Sequence, residues 1–255
     1  MTRNHDPSAR MARRAGVVAR LKRPRRTLAK ASVPPTRKGS KSRDNLKAAA
    51  LRALEHKGYR ALRLNDIAKE ADVNISLVYH YFHDKADLVF QALRDVIDIR
   101  TAIEGDPARP HEPFAALYHA NLLFASFYRD HPGLIRALVH FDEEHPEFHD
   151  LYSRVNRDWN QRIAETIRRR CPDAMLSDGE ALAVAFAVGG MVDKFLFEVY
   201  VERNPVLLAE LPTPEDVARF LTFMWFRAIY LRNPSTADIG KFGKLAGMAL
   251  SVKDK

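Results

Sequence analysis

The chain has 255 residues, 46% of them hydrophobic, enough for one or two modest domains with a sizeable core, and its formal net charge of +9 is unevenly spread. Residues 1–43 hold fourteen Lys or Arg against one acid, Asp6, while the remainder holds 27 basic and 31 acidic residues, so the basic character belongs to the N-terminal end and not to the folded body. Cys171, the one cysteine, excludes an internal disulfide framework, and no apolar run of about 18 residues could span a membrane. The Arg13-Arg14 start lacks the apolar core of an export signal because Arg20 interrupts Val17–Leu21, and the chain reads as cytoplasmic.

Residues 1–41 are rich in Arg, Lys, Pro, Ser and Ala and show no hydrophobic period. Such a segment buries too little apolar surface to offset its ordering entropy and is expected to be disordered in isolation. It reads either as a basic arm that follows phosphates or enters a minor groove, or as an untouched tail or over-long start ahead of Met11.

From Ser42 the pattern is helical. Leu46, Ala49, Ala50, Ala53 and Leu54 share one face, and Gly58 ends that helix. A short helix over Asp66–Ala71, a turn at Asp72-Val73 and a helix over Ile75–Phe82 follow, and Leu88, Val89, Ala92, Leu93, Val96 and Ile97 mark a fourth. Residues 101–113 carry three prolines and a glycine and read as a linker between residues 42–100 and 113–250. Beyond it the pattern predicts helices over Pro113–Asp130, Pro132–Phe141 and Pro146–Cys171. Ser177 with Glu180 is a capping box opening a helix to about Arg203, and Thr213-Pro214 opens another to about Arg232. Ala237–Leu250 is a last amphipathic segment, helical or frayed. Strand alternation is absent, and the fold class is all-α.

The stretch Leu62–Leu88, LRLNDIAKEADVNISLVYHYFHDKADL, has the helix, tight turn and second helix of a helix-turn-helix. Ile67, Ala68, Ala71, Val73, Val78 and Phe82 can interlock the pair. Asn74 is suited to cap the second helix through the amides of residues 76 or 77. Ile75, Ser76, Leu77, Tyr79 and His80 are then left on the turns that such motifs insert into the major groove.

The run Val73…Val78-Tyr79-His80-Tyr81-Phe82-His83-Asp84-Lys85…Asp87-Leu88 resembles the DNA-binding domain of the TetR/AcrR family, whose pattern is a Leu-Tyr-x-Tyr/His-Phe core, a Lys, and an acidic-Leu pair opening the fourth helix. The match covers about Asn45–Ala92. The resemblance implies phosphate contacts from Tyr79, His80 and Lys85, and base-edge contacts from Ile75, Ser76 and Leu77 with Tyr81 near them. Arg43 joins this DNA-binding set. Asn65 stands where some members contact a base and equally reads as the N-cap of its helix, the use preferred here. Three positions depart from the pattern. Asp72 replaces a turn glycine, Arg63 replaces a capping Thr or Ser and can instead reach a phosphate, and Leu77 replaces a common Thr. Ile75 and Leu77 together favour apolar contact with thymine methyls.

The helices over 178–203 and 214–232 are apolar on too many faces for simple surface helices. They either build the monomer core or, as the resemblance implies, form a four-helix bundle across a two-fold axis, giving a homodimer on a double-stranded DNA operator. The resemblance also implies a small-molecule effector pocket, for which Tyr118, Phe124, Phe127, Tyr128, Phe141, Trp159, Met191 and Phe195 are candidates, although the same stripe at helical spacing equally builds plain core. Asp193 is a candidate ligand anchor or salt-bridge partner. Ligand release of a repressor, relayed through the fourth helix, is the commoner behaviour in that family. Two rival readings are a non-specific DNA protein driven by residues 1–43 and a metal-dependent enzyme using His140, Asp142, Glu143, Glu144, His145 and His149. Without a nucleophile motif, phosphate loop, HExxH or Cys pair, neither metal, cofactor nor catalysis is expected.

Overall fold

The computed structural model describes residues 37–97 and 110–248, and every regular element among them is helical. The basic arm therefore lies outside the described residues except for 37–41, which open the first helix, and most of the 101–113 linker lies outside them as well. Helix α1 (Arg37–Ala61) starts ahead of Ser42 and buries Leu46, Ala49, Ala50, Ala53 and Leu54. It kinks at Gly58, whose φ of 67° and ψ of 164° suit a residue without Cβ.

Helix α2 (Leu64–Glu70) begins two residues before the expected Asp66. Arg63 is its cap residue and supplies no side-chain acceptor, so the helix is tied from within: the Asp66 carboxylate accepts the Arg63 N–H at 3.0 Å. The turn to α3 (Ile75–Tyr81) places Asp72 at φ 54°, the left-handed geometry for which Asp replaces glycine. Asn74 caps α3 by accepting the Ser76 N–H at 2.9 Å, and Asp84 does the same for Asp87 at the head of α4 (Lys85–Ile97).

The remaining helices follow their caps. Glu112 accepts two amides at the start of α5 (Pro113–Asp130), Pro132 and Pro146 open α6 (Pro132–Glu144) and α7 (Pro146–Arg170), and the Ser177–Glu180 capping box opens α8 (Asp178–Leu196). The helix expected to reach Arg203 widens at Phe197–Val201, where the Glu202 N–H reaches back to the Phe197 carbonyl. A short α9 (Pro205–Glu210), capped by Asn204, is an addition to the sequence reading, and α10 (Pro214–Tyr230) opens on Thr213 as expected. The final amphipathic segment is not one helix. Gly240 at φ 59° breaks it into α11 (Thr236–Ile239) and a 3₁₀ stretch over Gly240–Gly247.

The core around α1–α4 runs on without a break into α6 and α7, adding Leu134, Ala137, Leu138, Phe141 and Phe148 to Leu46, Leu54, Ile67, Val78, Phe82 and Leu93. The seam between α1 and α6 sets the close approach. His131, the cap residue of α6, offers no side-chain bond. The Glu55 carboxylate of α1 supplies it instead, accepting the Gly133 and Leu134 amides at 2.8 Å each. An anion is thereby held at the positive end of the α6 dipole. A Cβ added at Gly133 would fall inside the van der Waals envelope of the Glu55 backbone carbonyl, so this crossing requires glycine.

Gly133→Ala is expected to destabilise the fold by about 2–3 kcal/mol, because backbone rather than a flexible side chain must yield. Asp72→Gly is expected to stabilise it by about 0.5 kcal/mol through relief of its left-handed φ. Urea unfolding measures both; a Gly133→Ala protein as stable as the native chain contradicts the close seam.

Candidate nucleic-acid interface and interior chamber

The α3 helix has a buried side and an open side. Val78 and Phe82 are buried, and Ile75 and Tyr81 pack partly buried on the same core. Ser76, Tyr79 and His80 lie on the other side and are exposed, Tyr79 by 61%, with the His80 ring edge-on to Tyr81 at 4.8 Å. Leu77 is half-buried on the flank between them. Ile75 and Tyr81 thus help to hold the helix down, and Leu77 is the apolar residue on its flank. Asn65 is exposed one position inside α2, and the cap expected of it falls to Arg63, itself exposed.

Two cations assigned to DNA are turned inward. The Arg43 guanidinium donates to Gln91 Oε1 and lies 5.9 Å from the Phe82 ring centroid. Gln91 Nε2 donates to Asp87 Oδ1 at 2.6 Å, and Asp87 Oδ2 accepts the His83 N–H at 2.9 Å. A carboxylate as buried as Asp87, 4% exposed, needs such partners, and Arg43 supplies the charge through Gln91. The chain of bonds ties α1 and α4 to the segment just after α3. Lys85 donates to the Tyr59 carbonyl at 3.0 Å and sits 4.3 Å from that ring's centroid. Burial lowers its pKa. Its ammonium caps the kinked end of α1.

Away from α3, helices α5, α7, α8 and α10 enclose a chamber of about 190 Å³. Phe124, Trp159, Trp225 and Tyr230 line it together with Asn121 and Asn160. A second cavity of about 310 Å³ lies among α4–α8, with Ile97, Phe127, Tyr128 and Leu138 in its wall. Phe124 and Asp193 border both, and Asp193 is engaged within the fold. Of the candidate pocket residues, Phe124, Phe127, Tyr128 and Trp159 therefore reach a cavity. Phe141 is instead core, fully buried edge-on to Tyr59 and Phe148. Tyr118 lies under the Arg219 guanidinium, Phe195 stacks on Phe220 at 5.2 Å, and Met191 borders neither cavity. Asn121, Asn160, Trp225 and Tyr230 were missed.

The His140–His149 segment does not converge. His145 Nε2 meets the Tyr59 hydroxyl at 2.8 Å and its ring stacks on Phe141, whereas His149 Nδ1 faces Asp142 at 3.1 Å. Among the described residues no three His, Cys, Asp or Glu side chains are grouped to hold a metal.

A capped reading helix backed by a core and followed by a helical body with interior cavities is the arrangement of a known group of proteins. The model for bacterial regulatory proteins of the tetR family matches residues 46–92, and that for the C-terminal domain of transcriptional regulator EthR matches residues 119–231. The chain belongs to the TetR family. It is similar to the HTH-type transcriptional regulator EthR of Mycolicibacterium smegmatis, 25% identical over 72% of this chain and 83% of that one. It is also similar to the HTH-type transcriptional regulator BetI of Agrobacterium fabrum, 27% identical over 64% and 79%. A transcriptional regulator from Rhodococcus sp. Rha1 shares the fold, with a TM-score of 0.59 at 20% identity over 74% of this chain and 96% of that one. As in its family, the chain is a sequence-specific DNA-binding transcriptional regulator.

The two matched regions of this TetR-family chain meet along α1 and α6. Besides the Glu55 cap, Arg60 pairs with Glu144 at 2.7 Å and Tyr59 bonds His145. Burial pushes the Tyr59 hydroxyl up to about 12, and burial, opposed by Glu144, lowers the pKa of His145. A neutral imidazole can pair with the phenol in either tautomer. Because the folded state disfavours the imidazolium, the contribution of His145 to stability is complete above its ordinary value of about 6.5 and is lost as pH falls below it. Urea unfolding between roughly pH 7.5 and 5 is expected to show a steeper acid-side loss for the native chain than for His145→Gln. Parallel profiles would show that this seam is indifferent to the protonation of His145.

Proposed function

We propose that the chain is a homodimeric repressor, acting in the cytoplasm, that holds a palindromic operator through the open side of α3 and leaves it when a small molecule fills the interior. The observation that carries this reading is the segregation of α3 and its C-cap into an inward row, partly buried Ile75 with buried Val78 and Phe82, and an exposed row, Ser76, Tyr79 and His80. Tyr79 and His80 then serve phosphates, Ser76 and Leu77 serve base edges, and Arg63 and Asn65 flank them from α2. Residues 1–41 add a charge-driven grip on neighbouring phosphates. Among the described residues no helix is long and apolar enough to cross a membrane.

Dimerisation is supported by faces the monomer leaves open. On α8, Ala183, Phe186, Ala187 and Gly190 are exposed at helical spacing, and Leu231, just past α10, is 90% exposed. A C2 pairing covers them and sets two α3 helices one or more turns of DNA apart. Signal transfer is supported by the second cavity, whose wall includes Val96 and Ile97 of α4 as well as Ile135 and Leu138 of α6. Material entering there displaces α4 against an α6 that Glu55 fastens to α1.

Selection of binding sites from random duplexes tests the assignment. Tyr79→Ala is expected to weaken binding about tenfold on every sequence while keeping the preferred site, and Leu77→Thr to change the preference at one position of each half-site. Removal of residues 1–36 is expected to lower affinity and flatten the salt dependence yet leave a palindromic preference. If that preference disappears with the arm, the chain binds DNA as a basic, non-specific protein instead.

A further inference from the structure

Asn160 stands out among the residues that line the chamber. It is 3% exposed, and its Nδ2 donates to the Asn156 backbone carbonyl at 2.8 Å and to Asn156 Oδ1 at 3.3 Å. Its Oδ1 is buried and accepts nothing. The orientation of the amide is fixed by these bonds, since the flipped form would set oxygen against the Asn156 carbonyl. Two neighbouring polar groups of this wall, on Asn121 and Trp225, are satisfied. Asn121 donates to Thr222, which donates to the Ala218 carbonyl, and the Trp225 N–H donates to the Val188 carbonyl at 2.7 Å.

The unmet acceptor lies where α8 brings Gly189 and Gly190 to the chamber wall. A Cβ at Gly189 would stand 3.1 Å from Asn160 Oδ1, so a side chain there would cover it. A buried carbonyl oxygen without a partner costs about 1–3 kcal/mol, which a bound donor recovers. The rest of the lining is mainly aromatic and aliphatic, with Asn156, Arg162, Thr166, Arg170 and Asp193 as its further polar members, and on α5 it extends from Pro113 to Phe124, roughly 16 Å of helix.

We infer that the chamber receives an elongated, mainly aromatic or aliphatic molecule carrying one N–H or O–H donor, and that this donor bonds Asn160 Oδ1 in the notch left by Gly189. The assignment rests on the reading of the interior as the effector site and adds the chemical class of the effector. Purely apolar molecules of the same shape enter but leave the acceptor unmet.

The chain's two tryptophans, Trp159 and Trp225, both line the chamber, so intrinsic fluorescence of the full-length protein reports its occupancy. The probes are 4-butylphenol and its methyl ether, which differ in the donor and share the apolar body. The phenol is expected to bind about tenfold more tightly than the ether, the worth of one buried hydrogen bond. Asn160→Leu, close in shape, is expected to abolish the difference while binding the ether at least as well. Gly189→Ala, which keeps the asparagine and covers its oxygen, is expected to reduce phenol binding alone, and melting curves confirm that both variants fold. Equal affinities for the two probes in the native protein, or a preference for the phenol that survives Asn160→Leu, overturn the donor assignment while leaving the chamber as an effector site. Failure of both probes to perturb the tryptophans overturns the donor assignment and the chamber reading together.

Discussion

Glu55 on the amides of Gly133 and Leu134 is the contact on which the rest of the molecule depends. It lets a helix with no cap of its own begin against a helix of the DNA-binding part, and Gly133 lets the two backbones touch. Without that closeness, Phe141 and Phe148 could not reach the core that also holds Val78 and Phe82. The core that backs α3 is thus partly made of α6 and α7. The reading helix and the helices around the chamber share one packed interior, and interiors at that density pass on displacements rather than absorb them.

The same economy of position governs the cations. Arg43 and Lys85 both lie near α3, yet each is spent on the fold, one supporting a buried carboxylate and the other capping α1. What remains outward, Ser76, Tyr79 and His80 with Leu77 beside them, is a small and mostly neutral surface. A surface of that kind discriminates among sequences but grips weakly, which is a physical reason for the proposed pairing of two copies and the proposed grip of residues 1–41.

Much of this was legible in the sequence where the determinants are local. Asn74, Ser177 with Glu180, and Thr213 with Pro214 each mark a helix start because capping involves only the next three residues. The helix-turn-helix and its resemblance to the TetR family were readable for the same reason. Asp72 was readable as a left-handed turn residue because few other side chains take that φ. The inward contacts of Ile75, Tyr81, Arg43 and Lys85 were not legible, because periodicity gives the angle of a side chain on its own helix and not the element packed over it. Gly133 carried no visible reason at all, since its partner is the backbone of Glu55 far earlier in the chain. The chamber was half-seen: aromatic stripes on α5 and α7 were noted, but only packing separates Phe124 and Trp159, which face space, from Phe141, which faces Tyr59.

The central claim is that the seam between α1 and α6 joins DNA binding to the state of the regulatory helices, and linkage requires the influence to run both ways. Hydrogen exchange at the Gly133 and Leu134 amides, compared in the free protein and in the protein bound to its selected operator duplex, tests this directly. The account predicts slower exchange at these two amides on DNA binding, and loss of that slowing in Glu55→Gln. Exchange that is unchanged by the operator in the native chain would contradict it.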